Sequence, residues 1–143
     1  MPDGYFIILI VMSVLFHFLF PIEKIIYYPF SLIGIILVIG GILVAFVTNS
    51  VLLKERTSIK PFENPCELVT SGLFKFSRNP IYLGMMIALF GVEIILGSLF
   101  SFIFPIIFVI IINKTIIPVE EKNLERLFGK KYLDYKKKVG RWI

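Results

Sequence analysis

Apolar residues run along this chain in four long blocks, and polar residues gather between and after them. Tyr5 to Ile22 is an 18-residue block interrupted by Ser13 and His17, with Pro21 near its end. Pro29 opens a second block that continues to about Leu53. Two more, at about 80–97 and 99–117, are separated only by Gly97-Ser98, a gap that forces a tight antiparallel turn. A bilayer core of about 30 Å is crossed by about 20 helical residues, so each block predicts a membrane span. Gly34, Gly40, Gly41 and Ala45 recur at near-helical spacing on the second and predict close packing against a neighbouring helix. Pro105 predicts a kink in the fourth span, and Pro118 its end.

Lys54 to Ser77 is the one long polar stretch; it holds Pro61 and Pro65 and predicts a structured loop. Ser77 is placed to cap the helix that Asn79-Pro80 opens. After Pro118, Leu124, Leu127, Phe128, Tyr132, Tyr135 and Val139 recur at helical steps, with Lys130, Lys131, Lys136, Lys137 and Lys138 largely on the other face. That pattern predicts an amphipathic helix, interrupted at Gly129, that lies on the membrane surface. The expected fold is all-α integral membrane: one domain over 1–143, with four transmembrane helices at about 5–22, 29–53, 80–97 and 99–117. A C-terminal amphipathic cytoplasmic helix completes it.

Composition strengthens the membrane reading. Hydrophobic residues make up 57% of the chain and charged residues 17%, with a mean hydropathy of +0.89. The net charge of +5 is unevenly spread: from Pro118 onward there are eight Lys or Arg against four Asp or Glu, and from Lys54 to Arg78 five against three. The positive-inside rule then puts the N-terminus, the 54–80 loop and the tail on the cytoplasmic face. No basic patch interleaved with aromatics lies outside the membrane-flanking segments, so anionic lipid headgroups, not nucleic acid, are the expected polyanionic partner. Cys66 is the only cysteine, which forbids an intrachain disulfide. The first block lacks a basic n-region and a small-residue cleavage site, so it reads as a retained helix. Glu93, inside the third span, lies four residues before the Gly97-Ser98 turn and is expected to reach the far interface in a structural role. His17 is expected to be packed.

Two motifs carry chemistry. Arg78-Asn79-Pro80-Ile81-Tyr82-Leu83-Gly84 sits at the mouth of the third span, and Glu120-Glu121 sits just past the fourth, on the same side. A paired carboxylate beside a Pro-started helix suits a ligand carrying positive charge. With the flanks Leu68-Val69-Thr70-Ser71-Gly72-Leu73-Phe74 and Phe128-Gly129-Lys130-Lys131-Tyr132-Leu133-Asp134-Tyr135, the chain resembles the isoprenylcysteine carboxyl methyltransferase and phospholipid methyltransferase superfamily over roughly residues 57–143.

The resemblance implies S-adenosylmethionine-dependent methyl transfer to a lipophilic small-molecule or lipidated acceptor, in a multi-pass membrane protein whose site faces the cytoplasm. The cofactor pocket is expected from 59–84 and 114–143. Contacts are implied at Leu68, Val69, Phe74, Asn79, Pro80, Ile81, Tyr82 and Glu120, with further ones at Cys66, Glu67 and Glu121. Such a donor needs carboxylates for its cationic groups, backbone N–H groups for its carboxylate and an apolar slot for its adenine. No residue is assigned as catalytic, and no metal is expected. Prenylcysteine-type members carry a substrate-contacting Arg four residues before the first glutamate, where this chain has Ile116. A prenylcysteine carboxylate is therefore disfavoured, and the cations left for an acceptor are Lys114, Arg78 and Arg141. The alternatives are phospholipid amine N-methylation and an NADPH-dependent membrane reductase of related fold; the absence of a strand-following GxGxxG turn excludes a Rossmann methyltransferase.

Overall fold

A computed structural model gives the fold of residues 2–20, 24–55 and 65–143. Helix α1 spans Pro2–Leu19, α2 Leu32–Lys54, α3 Pro80–Leu96, α4 Ile103–Thr115, α5 Ile117–Phe128 and α6 Lys130–Lys138. Short 3-10 turns at Gly72–Lys75 and Leu99–Phe102 precede α3 and α4. Among the described residues there is no strand, only an isolated bridge between Lys24 and Ser98. The described residues make an all-helical fold. Pro21, Pro61 and the 59–64 part of the expected pocket lie outside the described residues.

Among the described residues three stretches are long and apolar enough to cross a membrane: Pro2–Leu19, Leu32–Lys54 and Leu99–Phe128, and α3 is a shorter apolar helix of 17 residues. The Leu99–Phe128 stretch has 30 residues, more than the roughly 20 a bilayer core needs. Its apolar part ends near Ile117, so Glu120 and the rest of α5 lie past the span. The outer faces of α1 and α2 expose Ile7, Ile8, Val11, Ile36, Ile42 and Phe46, as lipid-facing helices do.

In lipid the hydrophobic effect does not drive helices together, so association depends on van der Waals contact and backbone proximity. The α2–α3 pair shows this. Gly34 meets Gly91, and Gly41 meets Gly84, across an antiparallel interface. A Cβ built on Gly91 would lie 2.6 Å from the Gly34 carbonyl oxygen and 2.7 Å from the Val38 nitrogen. Gly40, grouped with them in the sequence, points elsewhere: a Cβ there meets nothing within 4 Å. On the other side of α3, Tyr82 and Leu89 pack with Leu9 of α1 and with Phe104, Phe108 and Ile112 of α4.

The prolines act differently from expectation. Pro105 sits in the first turn of α4, where its missing N–H costs nothing, so it does not kink the helix interior. Pro118 does not end the helical path. Ile116 keeps helical dihedrals (φ −90°, ψ −56°), the Glu120 N–H donates to its carbonyl at 3.1 Å, and Pro118 occupies the first turn of α5. Gly97 ends α3 in the left-handed conformation (φ 72°), and its carbonyl accepts the Ile25 N–H at 2.8 Å, which ties the α1–α2 connection to the α3–α4 turn.

Glu93 does not reach the interface. It is fully buried, and the Ser13 hydroxyl of α1 lies 2.7 Å from both carboxyl oxygens. A buried carboxyl needs such partners more than it needs distance from the bilayer centre. It therefore joins α1 to α3.

Gly91→Ala should lower stability by about 1–3 kcal/mol because backbone must move to admit the Cβ, whereas Gly40→Ala should raise it by about 0.5–1 kcal/mol through helix propensity. Thermal unfolding in one detergent checks both. An impermeant thiol reagent should label exposed Cys66 from one side of the membrane, and Leu99→Cys, in a Cys66→Ser background, from the other. Same-side labelling would overturn the antiparallel path.

Candidate functional site

The site forms where the N-terminus of α3 meets α5, α6 and the tail. Asn79 is the N-cap of α3 and Pro80 its first residue, but neither Asn79 nor Ser77 caps the helix with its side chain. Instead the buried Ser77 hydroxyl accepts the Asn79 N–H at 3.1 Å, and the Asn79 side-chain amide donates to the Arg141 carbonyl at 2.9 Å. The Arg78 N–H donates to the Gly140 carbonyl at 3.0 Å. The first-turn N–H groups of α3, at Ile81 and Tyr82, have no acceptor within the helix.

The two glutamates sit in different environments. Glu121 accepts from Arg141 through both oxygens, Nε to Oε1 at 3.0 Å and NH2 to Oε2 at 2.8 Å. Arg78 NH1 adds an ion pair at 3.1 Å and Lys136 Nζ another at 3.6 Å. Burial acts to raise the Glu121 carboxyl, but the Arg141 hydrogen bond and the charges of Arg78, Arg141 and Lys136 outweigh it and hold it below the usual carboxylate range. Glu120 has a single side-chain partner among the described residues: the Tyr82 hydroxyl donates to its Oε1 at 2.6 Å. Among the described residues no cation pairs with it. Burial pushes its carboxyl up to about 7, partly offset by that hydrogen bond and reinforced by the Glu121 charge.

Around this pair, Tyr132 and Tyr135 of α6 fold back onto the loop before α3. Arg78 NH1 donates to the buried Tyr132 hydroxyl at 3.3 Å, and the Tyr135 hydroxyl donates to the Phe74 carbonyl at 2.6 Å. Trp142 Nε1 donates to Asn113 Oδ1 on the last turn of α4 at 3.3 Å. Asn113, Tyr132, Lys136 and Trp142 are not among the individual site residues expected from the sequence, although Tyr132 and Lys136 stand in the motif flank and on the helix faces read there. Asn113, a polar residue at the end of an apolar block, also has a signal.

Of the expected site residues, Phe74, Asn79, Tyr82, Glu120, Glu121, Arg78 and Arg141 make these contacts, and Pro80 and Ile81 lie in the same first turn of α3. Leu68 and Val69 are buried, while Cys66 and Glu67 are exposed. Lys114 is exposed on α4 and makes none of these contacts. Ile116, where an arginine stands in prenylcysteine-type members, is 4% exposed and packs in the core with Tyr82 and Ile117.

A profile of the phospholipid methyltransferase family matches residues 30–131. Among relatives, a methanethiol S-methyltransferase of Bradyrhizobium diazoefficiens is 33% identical over 97 residues, 68% of this chain and 30% of that protein. A protein-S-isoprenylcysteine O-methyltransferase of Saccharomyces cerevisiae is 37% identical over 76 residues, 51% of this chain and 30% of that protein. A probable protein-S-isoprenylcysteine O-methyltransferase of Oryza sativa subsp. indica is 30% identical over 117 residues, 79% and 60% respectively. These matches span 30–60% of the length of those three proteins. The chain belongs to the phospholipid methyltransferase family, and these named relatives are methyltransferases.

Glu121→Gln should cost about 2–3 kcal/mol: removing one member of a buried ion cluster leaves Arg78 unpaired, and partial exposure of Arg141 and Lys136 discounts the rest. The depressed Glu121 carboxyl binds fewer protons folded than unfolded, so its contribution is complete above pH 4.5 and is lost as pH falls through the lower folded value. Chemical denaturation from pH 7 down to 3 should show that loss in the unmodified protein and not in Glu121→Gln.

Proposed function

We propose that this protein transfers a methyl group from S-adenosylmethionine to a lipophilic acceptor at the membrane, with its site on the cytoplasmic face. Glu120 carries the reading: a partly buried carboxylate, oriented by Tyr82, with no cation on it among the described residues, next to a glutamate that is already neutralised. The residues fit the donor's chemistry. Glu120 is available to a cationic group, the uncapped first turn of α3 to a carboxylate, and buried Leu68 and Val69 to an adenine slot. When bound, the donor supplies a methyl carbon on a sulfonium, which an acceptor lone pair takes as the carbon–sulfur pair returns to sulfur.

This chain's residues contribute position and field. Tyr82 fixes the Glu120 carboxylate through a short hydrogen bond, so the charge that faces the donor does not have to reorganise. Glu121, Arg78 and Arg141 hold the α3 mouth against α5 and the tail, which sets the distance between the two motifs. Alignment within about 3–3.5 Å of the methyl is then the main source of acceleration. The cytoplasmic placement rests on the excess of Lys and Arg in the 54–78 loop and the tail.

Arg78, Arg141 and Lys136 are committed to Glu121, so they give little to a polyanionic nicotinamide cofactor or to an acceptor carboxylate. Buried, apolar Ile116 points the same way.

S-adenosylmethionine binding should strengthen as pH rises through about 7, because the cation selects the ionised form of Glu120. Glu120→Gln should weaken binding by about 1.5–3 kcal/mol, the scale of a charged hydrogen bond, and flatten that pH dependence. Calorimetric titration of purified protein between pH 5.5 and 8.5 measures both. Unchanged affinity in Glu120→Gln would remove Glu120 from the site, and no binding at any pH would overturn the function.

A further inference from the structure

A hollow opens beside the α2–α3 seam. Helix α1 packs on α3 and α4, and α2 packs on α3, but among the described residues α1 and α2 scarcely touch. The gap between them holds a groove of about 410 Å³, within the range of small-molecule pockets. Its floor is made of small residues, Gly41 and Ala45 of α2 against Gly84 and Ala88 of α3, where the two backbones meet. Phe6 of α1 walls one side, and Ile42 and Phe46 of α2 wall the other. Ile42 and Phe46 are themselves exposed on the outside of α2, so the groove is continuous with the lipid-facing surface. It runs along the helix axes: its α2 lining extends from Gly41 to Asn49, a rise of about 12 Å. Half of a bilayer core is about 15 Å. Among the described residues only Asp3 and Asn49 bring polar side chains to it, and both lie toward the end where Ile81 opens α3. Toward Gly41 and Ala88 the lining is wholly apolar. Water is a poor filler there, since it needs two to four polar partners. An empty groove would forgo the dispersion contacts that lipid makes with the rest of the outer face.

We propose that this groove holds one acyl chain of a bilayer phospholipid, drawn from the leaflet on the side of the α3 mouth and retained as a ligand. The depth, the direction and the single polar end are those of a chain that descends from the membrane surface through most of one leaflet. The chain takes the place of the side chains that Gly41, Ala45, Gly84 and Ala88 lack. It also joins α1 to α2, which the protein's own residues scarcely do. The headgroup stays at the surface, near Asp3 and Asn49. The proposal stands independently of the methyl-transfer reading.

The test uses the whole protein, delipidated in digitonin, which carries no alkyl chain of its own. Dioleoylphosphatidylcholine, oleoyl-lysophosphatidylcholine, dihexanoylphosphatidylcholine and farnesol are titrated in turn, with native mass spectra and Tm as readouts. The two oleoyl lipids should bind saturably, one per protein, and raise Tm. Dihexanoylphosphatidylcholine has the same head but chains too short to reach Ala88, and should bind roughly tenfold more weakly or worse. Phe46→Ala removes one wall at an exposed position and should weaken oleoyl binding about tenfold. Ile36→Ala, equally exposed on α2 but outside the groove, should leave it unchanged. Ala45→Phe should fill the groove and abolish binding, and Phe46→Ala carries the test if Ala45→Phe does not fold. Equal effects of Phe46→Ala and Ile36→Ala, or binding that does not saturate, would mean unselective lipid contact and overturn the proposal. Tighter binding of farnesol would give the groove to an isoprenoid chain, and a lipid-free dimer that Ala45→Phe dissociates would give it to a second copy of this chain; either result overturns the phospholipid.

Discussion

The closeness of α2 to α3 is the constraint on which the rest of the structure depends. Gly34 opposite Gly91 and Gly41 opposite Gly84 repeat at the same seven-residue interval on both helices, so the pair stays in register over two turns. Lipid offers no penalty for separating two apolar helices, and only this backbone approach gives the pair enough contact to hold. Once α3 is fixed against α2, its other face is free for α1 and α4. Its N-terminus then emerges beside α5. The same glycines leave a hollow next to the seam, because a helix surface without side chains is low.

Adjacent residues can be given opposite electrostatic tasks by a helix. Glu120 and Glu121 are about 100° apart around α5, so one faces Tyr82 and the other faces the cations of the α3 mouth and the tail. Three positive groups converge on Glu121 and keep it ionised; a single hydroxyl serves Glu120. A carboxylate already supplied with cations holds structure together. One supplied only with a hydroxyl is available for a charged ligand.

Much of the frame was legible in the residues. The apolar blocks gave helices within a few residues of those observed, Gly97 gave the turn, and Gly129 the break between α5 and α6, because block length and glycine chemistry are local properties. Proline was less legible. Pro105 and Pro118 both proved to be first-turn residues, since the sequence does not say whether a helix pauses before a proline or is interrupted by it. Gly40 and Gly41 look alike in the sequence, but only one faces α3. The reach of Glu93 was misjudged because its partner, Ser13, is 80 residues away. The motif residues were visible as a set, but their division of labour was not: the cations that neutralise Glu121 come from Arg78, Lys136 and Arg141, whose convergence is decided by tertiary structure.

The contacts from Asn79 to the Arg141 carbonyl and from Arg78 to the Gly140 carbonyl also set an order of assembly. Asn79 and Arg141 are 62 residues apart. At the usual 5–20 residues per second of synthesis, the mouth of α3 waits roughly 3–12 s for the segment that closes it. Helices α2 and α3 can pair during that interval, since Gly91, the last glycine of their seam, follows Asn79 early in it. The protein thus acquires its membrane frame before its site, and the pocket is absent from the nascent chain until the last turn of the tail arrives.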